Sequence, residues 1–297
     1  MTSPNLADLI PDIIRPRLER LENGLIEMDG EPEEETTHQL RVSARRVDAA
    51  LNTFAAVMAT AEPCRVRPIR RVERRLGNLR DLDVLGQAMK RDLAEAGDDE
   101  LRAALGRALD RLKEGRADAI RRARRAVARP ALRRVRERLA DWLREPRFGV
   151  LGRLPAAAVV PDLYLPMLGS VLIHPGWGLA GTPAPDLEEA GMLHALRRRL
   201  KALRYRIECM ADWFGSDAGV WLDELHAMQD TLGSWHDDGV LLGWLARAQA
   251  PDQAIDRVRE RARAALAPWE GWRQRYLDPV ERQRMRATLI GFGRVAP

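Results

Sequence analysis

Two stretches of this chain repeat one another at a fixed offset. His38-Gln39-Leu40-Arg41 is matched by His194-Ala195-Leu196-Arg197. Leu76-Gly77-Asn78-Leu79-Arg80-Asp81-Leu82-Asp83-Val84-Leu85 is matched by Leu232-Gly233-Ser234-Trp235-His236-Asp237-Asp238-Gly239-Val240-Leu241. Both pairs lie 156 residues apart, and an ungapped comparison of 38–85 with 194–241 has 9 identities in 48 positions. Apolar positions coincide as well: Leu40/Leu196, Ala44/Leu200, Val47/Leu203, Leu51/Ile207, Ile69/Leu225 and Leu76/Leu232. Their three- and four-residue spacing is that of a helix seam. The period is far too long for a solenoid. It predicts one domain over 1–297 made of two helical halves, 1–145 and 146–297, related by a pseudo-two-fold axis.

The rest of the chain agrees with an all-α fold. Ala, Leu, Arg and Glu dominate, all strong helix formers, and no long alternating β-branched run appears. The periodicity predicts helices at about 5–28, 34–60, 65–77, 81–95, 98–127, 130–145, 156–173, 187–214, 217–233, 237–249, 252–275 and 279–291. Breakers such as Glu31-Pro32, Glu62-Pro63, Gly97-Asp98, Arg129-Pro130, Pro251 and Asp278-Pro279 fall between them. Thr36 and Thr37 are candidate caps. In the repeated Leu-Gly-x-x-x-Asp element, Gly77 and Gly233 suit the left-handed end of one helix. Asp81 and Asp237 suit the N-cap of the next. Residues 146–186, rich in Pro and Gly, mark the boundary between halves.

Composition removes several classes. With 297 residues and 45% hydrophobic content, the chain has enough apolar surface for a sizeable core. Two cysteines, Cys64 and Cys209, exclude a disulfide scaffold and a thiolate zinc site. No stretch nears the uninterrupted apolar length of a membrane helix, and Met1-Thr2-Ser3-Pro4 lacks a signal pattern. A cytoplasmic location with no membrane partner and no cofactor is the expectation.

Charge is informative by position rather than by sum. The net charge is only +5, but 46 of the 49 basic residues are arginine. Arginine's planar fork pairs bidentately with oxyanions, although a GC-rich genome produces the same bias. On the second-half helix, Leu193, Leu196, Leu200, Leu203 and Ile207 form the seam. His194, Arg197, Lys201 and Arg204 each follow one residue later, so they run beside the seam as a half-buried stripe. His38, Arg41 and Arg45 repeat it in the first half, until Asp48 ends it. From 193 to 206 there are six Lys/Arg and no carboxylate. Such a stripe needs either an anionic ligand or carboxylates from neighbouring helices. Residues 102–138 hold 14 Lys/Arg against 4 Asp/Glu, which reads chiefly as a solvated helical surface.

With these blocks in order, the sequence resembles the CHAD family of histidine-containing α-helical domains that bind inorganic polyphosphate. The matching elements are His38-x-x-Arg41-Val42-x-x-Arg45-Arg46 with Leu76-Gly77-x-x-Arg80-Asp81-x-Asp83-Val84. In the second half they are His194-x-x-Arg197-x-x-x-Lys201-x-x-Arg204-Tyr205 with Gln229-Asp230-x-Leu232-Gly233-x-x-x-Asp237. The resemblance implies two antiparallel four-helix bundles facing a basic groove or pore. It implies non-catalytic polyphosphate binding by His38, Arg41, Arg45, Arg46, Arg80, His194, Arg197, Arg198, Lys201, Arg204 and Tyr205. Phosphate or sulfate ions would occupy the same cavity in crystals, and polyphosphate granules would be a destination in cells. Some relatives carry a triphosphate-processing domain with a Glu-x-Glu-x-Lys strand; Glu31-Pro32-Glu33-Glu34-Glu35 lacks the lysine and reads as an acidic loop.

Two other functions compete. The basic charge allows nucleic-acid binding, but no helix-turn-helix or RNP pattern appears and Phe and Tyr are scarce. His236-Asp237-Asp238, with His38 and His194, superficially resembles a metal-dependent helical phosphohydrolase. The surrounding cations would repel a metal, and Arg80 stands where His236 has its counterpart. His38 and His194 also suit core histidines that cap a neighbouring helix.

Overall fold

The computed structural model describes residues 4–28, 33–59, 66–97, 99–185 and 190–292. Among them the regular elements are helices, with two isolated β-bridges and no strand. The first half holds α1 (Leu6–Glu27), α2 (Glu34–Phe54), α3 (Arg67–Glu95), α4 (Asp99–Val127) and α5 (Pro130–Arg144). The second holds α6 (Ala156–Leu172), α7 (Ala190–Ile207), α8 (Ser216–Arg247), α9 (Asp252–Ala265), α10 (Trp269–Leu277) and α11 (Pro279–Ile290).

Local chemistry sets most ends. Asn5 and Asp8 form a capping box at α1. At α11 Asp278 accepts from the Val280 N–H at 2.7 Å, with Pro279 in the first turn. α2 stops at Phe54 because the next residues are captured elsewhere: Gly149 donates to the Val57 carbonyl at 3.0 Å, and Ala59 donates to that of Arg147 at 2.9 Å. The acidic run differs from expectation, since Glu34 and Glu35 form the first turn of α2, where the helix dipole favours them. Thr36 and Thr37 lie inside that helix and cap nothing. Asp29, Gly30, Glu31, Pro32, the Glu62-Pro63 break, Cys64 and Asp98 lie outside the described residues. The single helix expected over 252–275 is two, α9 and α10, separated at Pro268, which lacks an N–H and restrains its predecessor.

A larger correction concerns the Leu-Gly-x-x-x-Asp element. It ends no helix. α3 runs through Gly77 and Asp81 for 29 residues, and α8 runs through Gly233 and Asp237 for 32. At 1.5 Å per residue these helices are about 43 and 48 Å long. The seam explains why. Ile69, Val72, Leu76, Leu79, Asp83, Gly86 and Met89 are all buried at three- or four-residue spacing across Gly77. On α8, Leu225, Met228, Leu232, Trp235, Asp238 and Leu242 continue likewise across Gly233. A mid-helix glycine costs about 1 kcal/mol, less than burial of the seam on either side returns.

Two of these seam positions are aspartates, and each is met by an arginine from the following helix. Arg116 of α4 donates to Asp83 at 2.7 Å. Arg261 of α9 donates to Asp238 at 2.7 Å and also reaches Asp92 of α3 at 2.8 Å. The buried side chains accordingly form two clusters. One holds α1, α2, α5, α6, α7, α10, α11 and the N-terminal parts of α3 and α8. The other holds Leu85, Met89, Leu101, Leu105 and Leu112 from α3 and α4, with Leu241, Leu245 and Val258 from α8 and α9. Each cluster draws on both halves. Repeat-equivalent helices touch one another: α2 packs on α7 and α3 packs on α8.

α6 corrects another expectation. Residues 156–178 have the length and composition to cross a membrane, with a mean hydropathy of 1.7. The helix packs against α7 and α11 and buries Val160, Tyr164, Leu168 and Val171 in the core, with 39% of the apolar window buried in all.

Candidate functional site

Between the two apolar clusters lies a polar layer. On α3 the first cluster ends at Leu76 and the second begins at Leu85; Arg80, Asp81 and Asp83 lie between. On α8 they end at Trp235 and begin at Leu241, with His236, Asp237 and Asp238 between. α2 and α7 bring their basic stripes to this layer.

The stripes are only partly neutralised. Arg45 pairs with Glu73 of α3, donating through Nε at 2.6 Å. Arg46 lies 3.9 Å from Glu208, and Arg80 lies 3.6 Å from Glu34. Arg204 is buried and held three ways: it donates through Nε to Gln229 at 2.9 Å and contacts both Glu208 and His226. Its guanidinium also lies 4.2 Å over the Tyr205 ring, and that of Arg45 lies 5.5 Å from the same ring. Arg204 and Tyr205 therefore anchor the wall rather than offer free donors. No carboxylate among the described residues comes within ion-pair distance of Arg41, Arg197, Arg198 or Lys201.

Four nitrogens stand out. His38 Nδ1 and Arg41 Nε are buried without a hydrogen-bond partner, and so are His194 Nδ1 and Arg197 Nε. These are the repeat-equivalent atoms of both halves. The helix-capping role weighed for the histidines thus finds no acceptor at Nδ1. Burial lowers the pKa of both imidazoles, reinforced at His38 by Arg41 and Arg80 and at His194 by Arg198 and Arg197. Both are neutral near pH 7. Burial likewise holds Arg41 and Arg197 below the ordinary guanidinium range. Lys201 is pushed down to about 6 by burial and by Arg45, Arg41, Arg197 and Arg204 around it. Cations so placed are starved of counter-charge.

Three groups in this layer were not assigned to binding from sequence. His236 lies against His194 with ring centroids 4.5 Å apart and the rings tilted by 39°, and its pKa falls to about 4 through burial, His194 and Arg197. Asp237 is raised to about 6, chiefly by burial. Asp81 is raised in the same direction; it is open to water inside the cavity but hemmed in by protein. The signal for the aspartates was present, since they are identical across the repeat, but it was read as helix capping.

The space around these residues is continuous with solvent on more than one side. A cavity of about 410 Å³ is bordered by Arg45, Arg70, Arg198, Lys201, Tyr205 and Arg206. A second, of about 350 Å³, is bordered by Asp81, Arg91, His236, Asp237 and Arg261. A third, of about 280 Å³, lies beside Asp81, Arg75 and Arg122. Arg122 borders that third cavity, yet like Arg121 and Arg133 it keeps to the solvated surface expected over 102–138, the three in local pairs with Asp118 and Glu137. The repeated motifs, their shared polar layer and a family match over residues 13–246 to the CHAD domain decide the relationship. The chain belongs to the CHAD domain family. Two solved structures agree over almost its entire length. The CHAD domain from the plant Ricinus communis is 25% identical, with a TM-score of 0.64 over 97% of this chain and 92% of that one. PptA from Streptomyces chartreusis shares the fold at 19% identity, with a TM-score of 0.63 over 95% of this chain and 100% of that one. No curated protein matches the chain.

Proposed function

We propose that this CHAD domain binds inorganic polyphosphate in the polar layer without catalysing a reaction on it. The observation that carries the reading is the repeat-matched pair Arg41 and Arg197, with Arg198 and Lys201 beside them, all without a carboxylate of a described residue at ion-pair distance and, at Arg41, Arg197 and Lys201, held against their charge by burial. An anion lying between α2 and α7 supplies the counter-charge that these groups lack. Arg46 and Arg80, each already near a carboxylate, contribute long-range attraction more than direct donors.

Polyphosphate fits this chemistry better than nucleic acid. It offers oxygens without bases, and the cavity walls offer mainly cationic nitrogens. Tyr205 is buried beneath Arg204 and Arg45, and Arg247 lies 5.2 Å from the Trp244 ring, so few aromatic faces are left for base stacking. Among the described residues, no group of three His, Cys, Asp or Glu side chains is disposed to hold a metal ion. A cytoplasmic protein that associates with polyphosphate granules is the corresponding cellular role.

The test is calorimetric titration with long-chain polyphosphate, repeated at several salt concentrations and with duplex DNA or RNA as competitor. Binding that weakens steeply with salt through counterion release, and that resists nucleic acid at equal phosphate concentration, is the expected result. Displacement by nucleic acid would overturn the specificity. Release of phosphate from polyphosphate or nucleotides on adding Mn²⁺ would overturn the absence of catalysis.

A further inference from the structure

Asp81 and Asp237 hold equivalent places in the repeat, on α3 and α8, which pack together. Both border the same cavity. Neither makes a hydrogen bond or ion pair with a described residue. They stand in the layer that the proposed ligand would fill, close to guanidiniums whose Nε atoms have no acceptor. An ionised carboxylate there opposes a polyanion. A protonated carboxyl does the reverse, because its O–H donates a short, charge-assisted hydrogen bond to a phosphate oxygen.

We propose that Asp81 and Asp237 make anion capture proton-coupled: as polyphosphate enters, the carboxylate pair takes up about one proton from solvent, and the resulting carboxyl donates to the ligand. This rests on the function proposed above. The proton balance is simple: one H⁺ leaves the buffer and one carboxylate becomes a carboxylic acid.

The surroundings favour that step. Facing Asp237 are Arg197 and Lys201 from α7 and Asp81 from α3, with His236 and Asp238 on its own helix. Arg91 of α3 and Arg261 of α9 border the same cavity, and Arg261 is already committed to Asp238 and Asp92. Facing Asp81 are Arg41 and Arg45 from α2 and Arg197 and Lys201 from α7. Arg75 of α3 and Arg122 of α4 lie on its open side. Before a ligand arrives the arginines hold the carboxylates ionised against burial, while Lys201, depressed to about 6, is mostly uncharged at pH 7. A polyphosphate chain takes those cations for itself, and the carboxylates then lose their main reason to stay charged. Asp237 already sits near 6 before any ligand arrives, so a further rise brings it into the neutral range.

Two other sites could also take up protons on binding. Lys201 is one, and the histidines are the other. The experiment separates them. Proton uptake is read by titrating long-chain polyphosphate, whose internal phosphates do not titrate near neutrality, in buffers of different ionisation enthalpy at pH 7. It is done with EDTA present, on the intact chain. Wild-type protein is compared with Asp81→Asn/Asp237→Asn, and both are repeated with Lys201→Arg, which fixes that position as a cation. The asparagine pair is expected to lower uptake by about one proton in either background. It is also expected to bind at least tenfold more tightly than wild type at pH 8, the gap closing towards pH 6. Unchanged uptake would place the proton on the histidines or Lys201 and overturn the proposal. So would an affinity that depends on added Mg²⁺ and loses that dependence in the asparagine pair, because the carboxylates would then hold a cation. If polyphosphate fails to bind at any pH, the function itself falls, an outcome distinct from binding without proton linkage. Circular dichroism confirms that each variant is folded.

Discussion

The two stripes share a sequence pattern and differ in their electrostatics. On α2, the cation at Arg45 is neutralised by Glu73, and Asp48, paired to Arg70, ends the stripe. On α7, the equivalent positions are Lys201, with no carboxylate within ion-pair distance, and Arg204, held by its own Glu208. His38 is opposed by Arg80, whereas His194 meets the tilted ring of His236. A repeated pattern thus forms one compensated wall and one uncompensated wall. The unpartnered nitrogens survive in both. An anion in the layer therefore gains most from α7.

That contrast can be broken by equivalent substitutions. The largest effect is expected from Arg197→Ala/Lys201→Ala, which should weaken polyphosphate binding at least tenfold at pH 6.5 while helicity stays intact. The matched pair on α2, Arg41→Ala/Arg45→Ala, should cost only about threefold, since Arg45 is already spent on Glu73. Titration calorimetry measures both, and an equal or larger loss on α2 would show that the walls act alike. Smaller again, Glu73→Gln should release Arg45 and tighten binding about twofold; weaker binding would mean that Glu73 positions Arg45 for the ligand.

A last substitution reads the uncompensated wall without ligand. The Lys201 amine is depressed to about 6 in the folded protein, so the folded state resists its charge. The resulting penalty is complete below that value and fades as pH rises towards the ordinary lysine range. Lys201→Met should therefore raise the melting temperature by a few degrees at pH 6 and by less at pH 9. A gain that is the same at both pH values would mean that Lys201 is not held against its charge.

Much of this was legible in the sequence. Helix periodicity located most elements, and the helices that the repeat aligns, α2 with α7 and α3 with α8, pack on one another. The continuity of α3 and α8 was not legible. Gly77 and Gly233 look like helix ends when followed four residues later by an aspartate, and the arginines that let the seam continue through Asp83 and Asp238 lie 33 and 23 residues away, at Arg116 and Arg261. The same misreading hid Asp81 and Asp237, which are equally good N-caps on paper. Along the stripe, spacing showed which cations share a face. It could not show that Arg204 turns inward to Gln229, because that contact depends on how α7 packs against α8.

The proposed role turns on whether the polar layer between the two apolar clusters is a phosphate-chain site. Calorimetric titration of the intact protein with long-chain polyphosphate, in the presence of duplex DNA at equal phosphate concentration, tests it most directly. The account predicts saturable binding that the DNA does not displace and that Arg197→Ala/Lys201→Ala weakens at least tenfold. Binding that the DNA displaces, or that this variant leaves unchanged, would contradict it.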